Sequence, residues 1–202
     1  MENQKKFEWK RQFVHILLGI AIVSMLLYGF LDKLTLLILS LMGIVLSYMS
    51  TRGKIHIISP LLEKFERPDE LRNFPGKGIL FYFIGAYLSL LFFDKDIAMA
   101  SIMVLAFGDS ISHLYGISYG KLKHPFSSSK FLEGTVAGML AGCIGALVFI
   151  PWQEAIVAAL AGMVIESIEI RLWNHQFDDN LLVPLASGFA VLLVRALNNI
   201  IL

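Results

Sequence analysis

Apolar runs constrain this chain more than any motif does. Seven divide the sequence: Phe13–Leu31, Leu34–Met49, Ile79–Phe93, Ile97–Tyr119, Thr135–Ile150, Ala155–Ile170 and Leu181–Leu202. A helix needs about 20 apolar residues to cross about 30 Å of hydrocarbon. Four of the runs fall below the usual minimum of about 17, as expected of a bundle whose inner helices also contact protein and water. Only 16% of the residues are charged, against roughly 25% in soluble domains. The sequence therefore predicts an all-α, polytopic membrane helix bundle of about seven transmembrane helices, built as a single domain over 1–202. The N-terminal run follows a basic start without a small-residue cleavage site, so it is expected to remain as the first span.

Lysine and arginine set the orientation. Lys5, Lys6, Lys10 and Arg11 precede the first run; Arg52, Lys54, Lys64, Arg67, Arg72 and Lys77 follow the second. Lys121, Lys123 and Lys130 follow the fourth, and Arg171 the sixth. Only Lys33, Lys95 and Arg195 fall on the other side. Seven spans with a cytosolic N-terminus accommodate this bias; six or eight would break it at one end. A prokaryotic plasma membrane is the expected setting rather than the endoplasmic reticulum. Cys143 is the single cysteine, so no intramolecular disulfide exists.

The fourth run carries an aspartate, a histidine and several glycines. An ionised carboxylate in hydrocarbon costs about 2.5–3.5 kcal/mol or more, so Asp109 must face the bundle interior. Gly108, Ser112, Gly116 and Gly120 form one stripe at helical spacing; Gly134, Gly138, Gly142 and Ala146 form another. Such stripes let helices approach closely in membranes, and His113 lies one turn beyond Asp109. Between the stripes runs KLKHPFSSSKFLEGT, whose cations suit an anionic ligand or simply a solvated loop. Glu133 is placed either to bind metal or to cap its own helix. Glu166 lies on a stripe with Ala158 and Gly162, near Glu169 and the acidic group Asp178–Asn180. Arg11 and His15 are one turn apart on the first helix, and Arg67, Asp69, Glu70 and Arg72 share their compartment.

Gly108-Asp109, Gly116, Gly120-Lys121 and Lys130-x-x-Glu133-Gly134-Thr135 resemble the signature of the CTP-dependent polyprenol kinase family, which includes dolichol, phytol and CTP-using diacylglycerol kinases. Arg11-x-x-x-His15-x-x-x-Gly19 is similar to the family's N-terminal helix start, and Glu166 with Asp178-Asp179-Asn180-Leu181-x-x-Pro184 to its C-terminal motif. The resemblance implies transfer of the γ-phosphoryl group of CTP to the hydroxyl of a membrane polyprenol or diacylglycerol, with Mg²⁺. It implies Asp109, Glu133 and Lys130 as catalytic residues, and Asp109, Glu133 and Glu166 as metal ligands. Nucleotide contacts would come from Gly116, Gly120, Lys121, Lys130, Gly134, Thr135, Asp179 and Asn180; Arg11, His15 and Arg67 are site candidates of unassigned role. The implied partners are CTP, a lipid alcohol and the bilayer, with no nucleic acid and a homodimer left open. Two rival classes stand beside this one: a membrane cytidylyltransferase, which releases pyrophosphate instead of CDP, and a non-catalytic lipid transporter.

Overall fold

A computed structural model of the chain describes residues 2–52, 64–127, 129–168, 170–172 and 175–201. The expected Lys54 and Glu169 lie outside these residues. The helices are α1 (Glu2–Leu27), α2 (Lys33–Arg52), the short α3 (Pro68–Asn73), α4 (Lys77–Phe92), α5 (Lys95–Met103), α6 (Ser110–Tyr119), α7 (Leu132–Ala146), α8 (Trp152–Ser167) and α9 (Asp179–Ile201). A π-helical segment, Val104–Asp109, joins α5 to α6 without a break. A two-residue antiparallel hairpin, β1 (Arg171–Leu172) with β2 (His175–Gln176), links α8 to α9. The protein is an all-α bundle, and each of the seven apolar runs forms a helix.

Four helical stretches are long and apolar enough to cross a membrane: Gln4–Leu27, Lys33–Arg52, Lys95–Tyr119 and Asp179–Asn198. The second run extends further than its apolar residues alone suggest, to a 20-residue helix. The helices α4, α7 and α8 stay short, at 16, 15 and 16 residues.

Lys95–Tyr119 is the hub, with 78% of its most apolar window buried, against 17–28% for the other three long stretches. Ile97, Ile102, Val104 and Leu105 are fully enclosed among Ile22 and Leu26 of α1, Met163 of α8, and Val183 and Val191 of α9. The two glycine stripes interlock as the sequence predicts. A Cβ on Gly138 would stand 2.6 Å from the Gly108 carbonyl, and one on Gly134 2.5 Å from that of Ser112. Opposite its stripe, α7 exposes Val136, Leu140 and Ile144, and α8 exposes Ile156, Leu160 and Val164. One face of each is therefore small and buried, the other large and apolar, as lipid contact demands.

Candidate active site

Helix ends, hairpin and loop converge at one end of the bundle around a cavity of about 460 Å³. Its wall draws on α1, α4, α6, α8 and the start of α9, together with the Phe65–Glu70 segment and Lys130 from the loop. Asp109 lies ten residues before the end of α6 at Tyr119, about 15 Å along the axis at 1.5 Å per residue. The cavity thus reaches from the bundle end to a carboxylate well inside.

The π-helical turn explains how Asp109 gets there. Its wider turn changes the register of the residues that follow, and such turns recur at functional sites. Here Gly108 packs against Gly138 and Met163, while the next residue, Asp109, lines the cavity. Asp109, Glu166 and Asp179 each present an oxygen, and these atoms lie within 4.8 Å of one another. Lys130 joins them, its Nζ 2.8 Å from Glu166 Oε1 and 3.0 Å from Asp179 Oδ2. It also donates to the Glu166 carbonyl. Burial disfavours the Lys130 ammonium, but Glu166 and Asp179 outweigh that and hold its pKa above the ordinary lysine value. Three carboxylates facing one ammonium leave negative charge in excess. Hard oxygen donors at this spacing fit a divalent cation such as Mg²⁺.

A second polar layer surrounds the first. Glu8 accepts from Arg11 Nε at 3.1 Å, pairs with His113 Nε2 at 3.0 Å, and accepts from Arg67 Nε at 3.1 Å. It thereby ties the Arg67 segment to α1 and α6. Lys77 Nζ lies 3.2 Å from Asp178 Oδ2, and Asn180 donates its amide to the Gly78 carbonyl at 3.3 Å. These contacts fix the start of α9 against α4. Burial raises the Asp178 pKa despite the opposing Lys77.

Of the residues singled out from sequence, Asp109, Lys130, Glu166, Asp179, Asn180, Arg11, His15 and Arg67 line this cavity. Glu133 does not. Its carboxylate accepts the backbone amides of Lys121 and Leu122 at 3.1 Å, pinning the loop to the first turn of α7. An acid at a helix start serves there without any ligand. Gly116 and Gly134 meet at the helix crossing, Gly120 packs on the Phe131 ring, and Thr135 Oγ1 donates to the Phe131 carbonyl at 3.4 Å. Lys121, like these, is absent from the cavity wall. The loop's cations divide in the same way: Lys123 covers the Phe131 ring at 4.0 Å, and only Lys130 turns inward.

Sequence reasoning passed over Glu66, Lys77 and Tyr82, which line the cavity, and Glu8, which pairs with Arg11, Arg67 and His113 of its wall. Glu8 was readable in principle, because it stands on the α1 face that carries Arg11, His15 and Gly19. Tyr82 sits in an apolar run with no polar neighbour to mark it.

No family model matches the chain, and no solved structure matches it. It is 33% identical over 186 residues to an uncharacterized protein of Methanocaldococcus jannaschii, covering 90% of this chain and 91% of that protein. It is 26% identical over 133 residues to the CTP-dependent diacylglycerol kinase 1 of Eremothecium gossypii, covering 55% of this chain and 42% of the kinase. With a probable chloroplastic phytol kinase of Zea mays it shares 28% over 152 residues, 67% of this chain and 48% of the kinase. The chain thus spans about half the length of these kinases. The named relatives it resembles over that half are CTP-dependent diacylglycerol and phytol kinases.

Proposed function

We propose that this protein transfers the γ-phosphoryl group of CTP to the hydroxyl of a membrane lipid alcohol, a polyprenol, phytol-like alcohol or diacylglycerol. The observation that carries this reading is the convergence of Asp109, Glu166, Asp179 and Lys130 in a cavity at the bundle end. The similarity to proteins named as CTP-dependent diacylglycerol and phytol kinases supports it. Phosphoryl transfer asks a protein mainly for positioning and charge stabilisation. The alcohol oxygen forms the new bond to the γ-phosphorus, the bond to CDP breaks, and the hydroxyl proton passes to Asp109. Lys130 stands where it can meet the triphosphate charge, and Asp179 and Asn180 hold the nucleotide end of the site. Asp109, Glu166 and Asp179 would hold Mg²⁺, which when bound neutralises charge on the phosphate oxygens. The excess of lysine and arginine at this end supports its facing the cytosol.

The test supplies purified protein with CTP labelled at the γ-phosphate and a panel of lipid alcohols. A labelled lipid phosphate with stoichiometric CDP is expected, lost on chelation and restored by Mg²⁺. Pyrophosphate as the product would favour cytidylyl transfer, and no labelled lipid from any alcohol would overturn the kinase reading.

A further inference from the structure

The inner end of the cavity holds two polar atoms without a hydrogen-bond partner among the described residues, His15 Nε2 and Tyr82 Oη. Both are buried, and Tyr82 is only 1% exposed. Buried polar groups are nearly always satisfied, and an orphan calls for a reason. The two rings touch edge to face, with centroids 4.6 Å apart. His15 Nε2 lies 3.7 Å from Asp109 Oδ2. That gap is too long for a direct bond, yet one oxygen can sit within bonding distance of both atoms.

Space for the tyrosine hydroxyl is built in. A Cβ on Gly19 would collide with Tyr82 Oη and would stand 2.5 Å from the Ala106 Cβ. Arg11, His15 and Gly19 therefore follow one face of α1 inward, from the Glu8–Arg67 cluster to the Tyr82 hydroxyl. Val14, Leu18 and Ile79 give this part of the cavity an apolar wall. Lys130, an ammonium suited to a triphosphate, stands instead at the loop, beside Asp179 at the start of α9. Past Arg11 and Arg67, whose charges Glu8 answers, this side of the cavity offers an apolar wall and the two unpartnered groups.

We infer that His15 and Tyr82 receive the hydroxyl of the acceptor alcohol opposite Asp109, which makes Arg11-x-x-x-His15-x-x-x-Gly19 an acceptor-recognition stripe and not part of the nucleotide site. The inference rests on the phosphoryl-transfer reading and assigns its second substrate. The hydroxyl donates to Asp109 Oδ2, while its oxygen accepts from the tyrosine. A site built to bond a hydroxyl strongly rejects an analogue that lacks it, because its own polar groups are then left unpaired.

Tyr82→Phe removes the hydroxyl and keeps the ring. It is expected to raise the KM for the alcohol about tenfold while leaving the KM for CTP within about twofold of wild type. His15→Asn is expected to show the same split and serves should Tyr82→Phe fold poorly. A rise in the CTP KM alone, or no change in either constant, overturns the assignment. A second measurement separates this inference from the kinase reading. Equilibrium binding of farnesol is compared with binding of farnesene, which lacks the hydroxyl, to the wild-type protein and to Tyr82→Phe. Should the wild type transfer no phosphate from CTP, the kinase reading falls, but a preference for farnesol that Tyr82→Phe abolishes still supports the hydroxyl site. An unchanged preference in the variant, or none in the wild type, overturns it.

Discussion

Among the described residues, two ionic clusters near opposite ends of the bundle are built on different principles. At the end away from the cavity, Arg195 of α9 binds Glu154 through Nε at 3.1 Å and Nη2 at 2.8 Å, and Asp96 through Nη2 at 2.6 Å. Both carboxylates lie in the first turns of their helices, where the helix dipole also favours negative charge. At the cavity end, three carboxylates meet one ammonium, and His15 and Tyr82 keep polar atoms unpartnered. Sixteen residues of α9 separate Asp179 from Arg195, about 24 Å of helix. One cluster is saturated by its own side chains and joins three helices. The other leaves charge and hydrogen-bonding capacity unmet among the described residues. The contrast teaches that burial and charge alone do not mark a site; incomplete pairing around a cavity does.

If that distinction is right, substitutions at the two ends must fail in opposite ways. The largest effect is expected from Asp109→Asn. It keeps the shape and removes a negative charge from an over-acidic cluster, so the helical fold should persist. Transfer should fall by at least about 10³-fold, since the group proposed to take the proton and hold metal is gone. Radiolabel transfer alongside thermal unfolding checks both halves. Near-normal turnover would remove Asp109 from the chemistry and erase the contrast.

Lys130→Met comes next. The variant strands Glu166, whose side chain is only 3% exposed, beside two other carboxylates. Activity is expected to drop about 100-fold, mainly through the KM for CTP, because the ammonium proposed to meet the phosphates has been lost. Elevated Mg²⁺ should recover part of the loss by replacing the missing positive charge, and steady-state kinetics across a metal titration would show it. The wild-type pairing itself has a clear pH sense. A lysine whose folded pKa is raised contributes stability fully below its unfolded value and loses it only in strongly alkaline solution.

At the far end the expectation reverses. Arg195→Met leaves Glu154, 12% exposed, without its cation. A loss of about 1–3 kcal/mol in stability is expected, the lower part of the range reflecting the partial exposure of Arg195 and Asp96. Turnover per folded molecule should remain near wild type. A variant that is stable but inactive would show that this cluster reaches the site and would collapse the distinction between the two ends.

The sequence revealed the two clusters unequally, for physical reasons. Asp109 stood out because hydrocarbon penalises a carboxylate, and the glycine stripes because close helix approach needs small residues at a fixed spacing. Lys130, Glu166 and Asp179 belonged to recognisable motifs, but their meeting depended on where the loop and hairpin return. Glu133 was ambiguous for the opposite reason, since an acid that holds loop amides at a helix start reads the same as one that binds metal. The π-helical turn carries no proline or other local signal, so the register that aims Asp109 inward is a tertiary outcome. Tyr82 is a further case, an apolar-run residue whose role follows only from the glycine opposite it.

The smallest effect concerns Glu66, which shares traits of both clusters. Its Oε2 accepts the Gly76 amide at 2.9 Å, while its Oε1 is buried without a partner among the described residues. Burial, against the Gly76 bond and with Glu70 nearby, raises its pKa above the ordinary glutamate value of 4.5. A raised carboxylate pKa means the folded state holds the proton more tightly than the unfolded one. Stability therefore declines as pH rises from 4.5 through the folded value, and the cost persists at neutral pH. Glu66→Gln keeps an acceptor for Gly76 and removes the charge, so it should match wild type in acid and exceed it slightly near pH 7. Thermal unfolding at both pH values reads this directly. A variant less stable than wild type at pH 7 would mean that the Glu66 charge is answered by a cation near the mouth, placing it with the saturated cluster and not the open one.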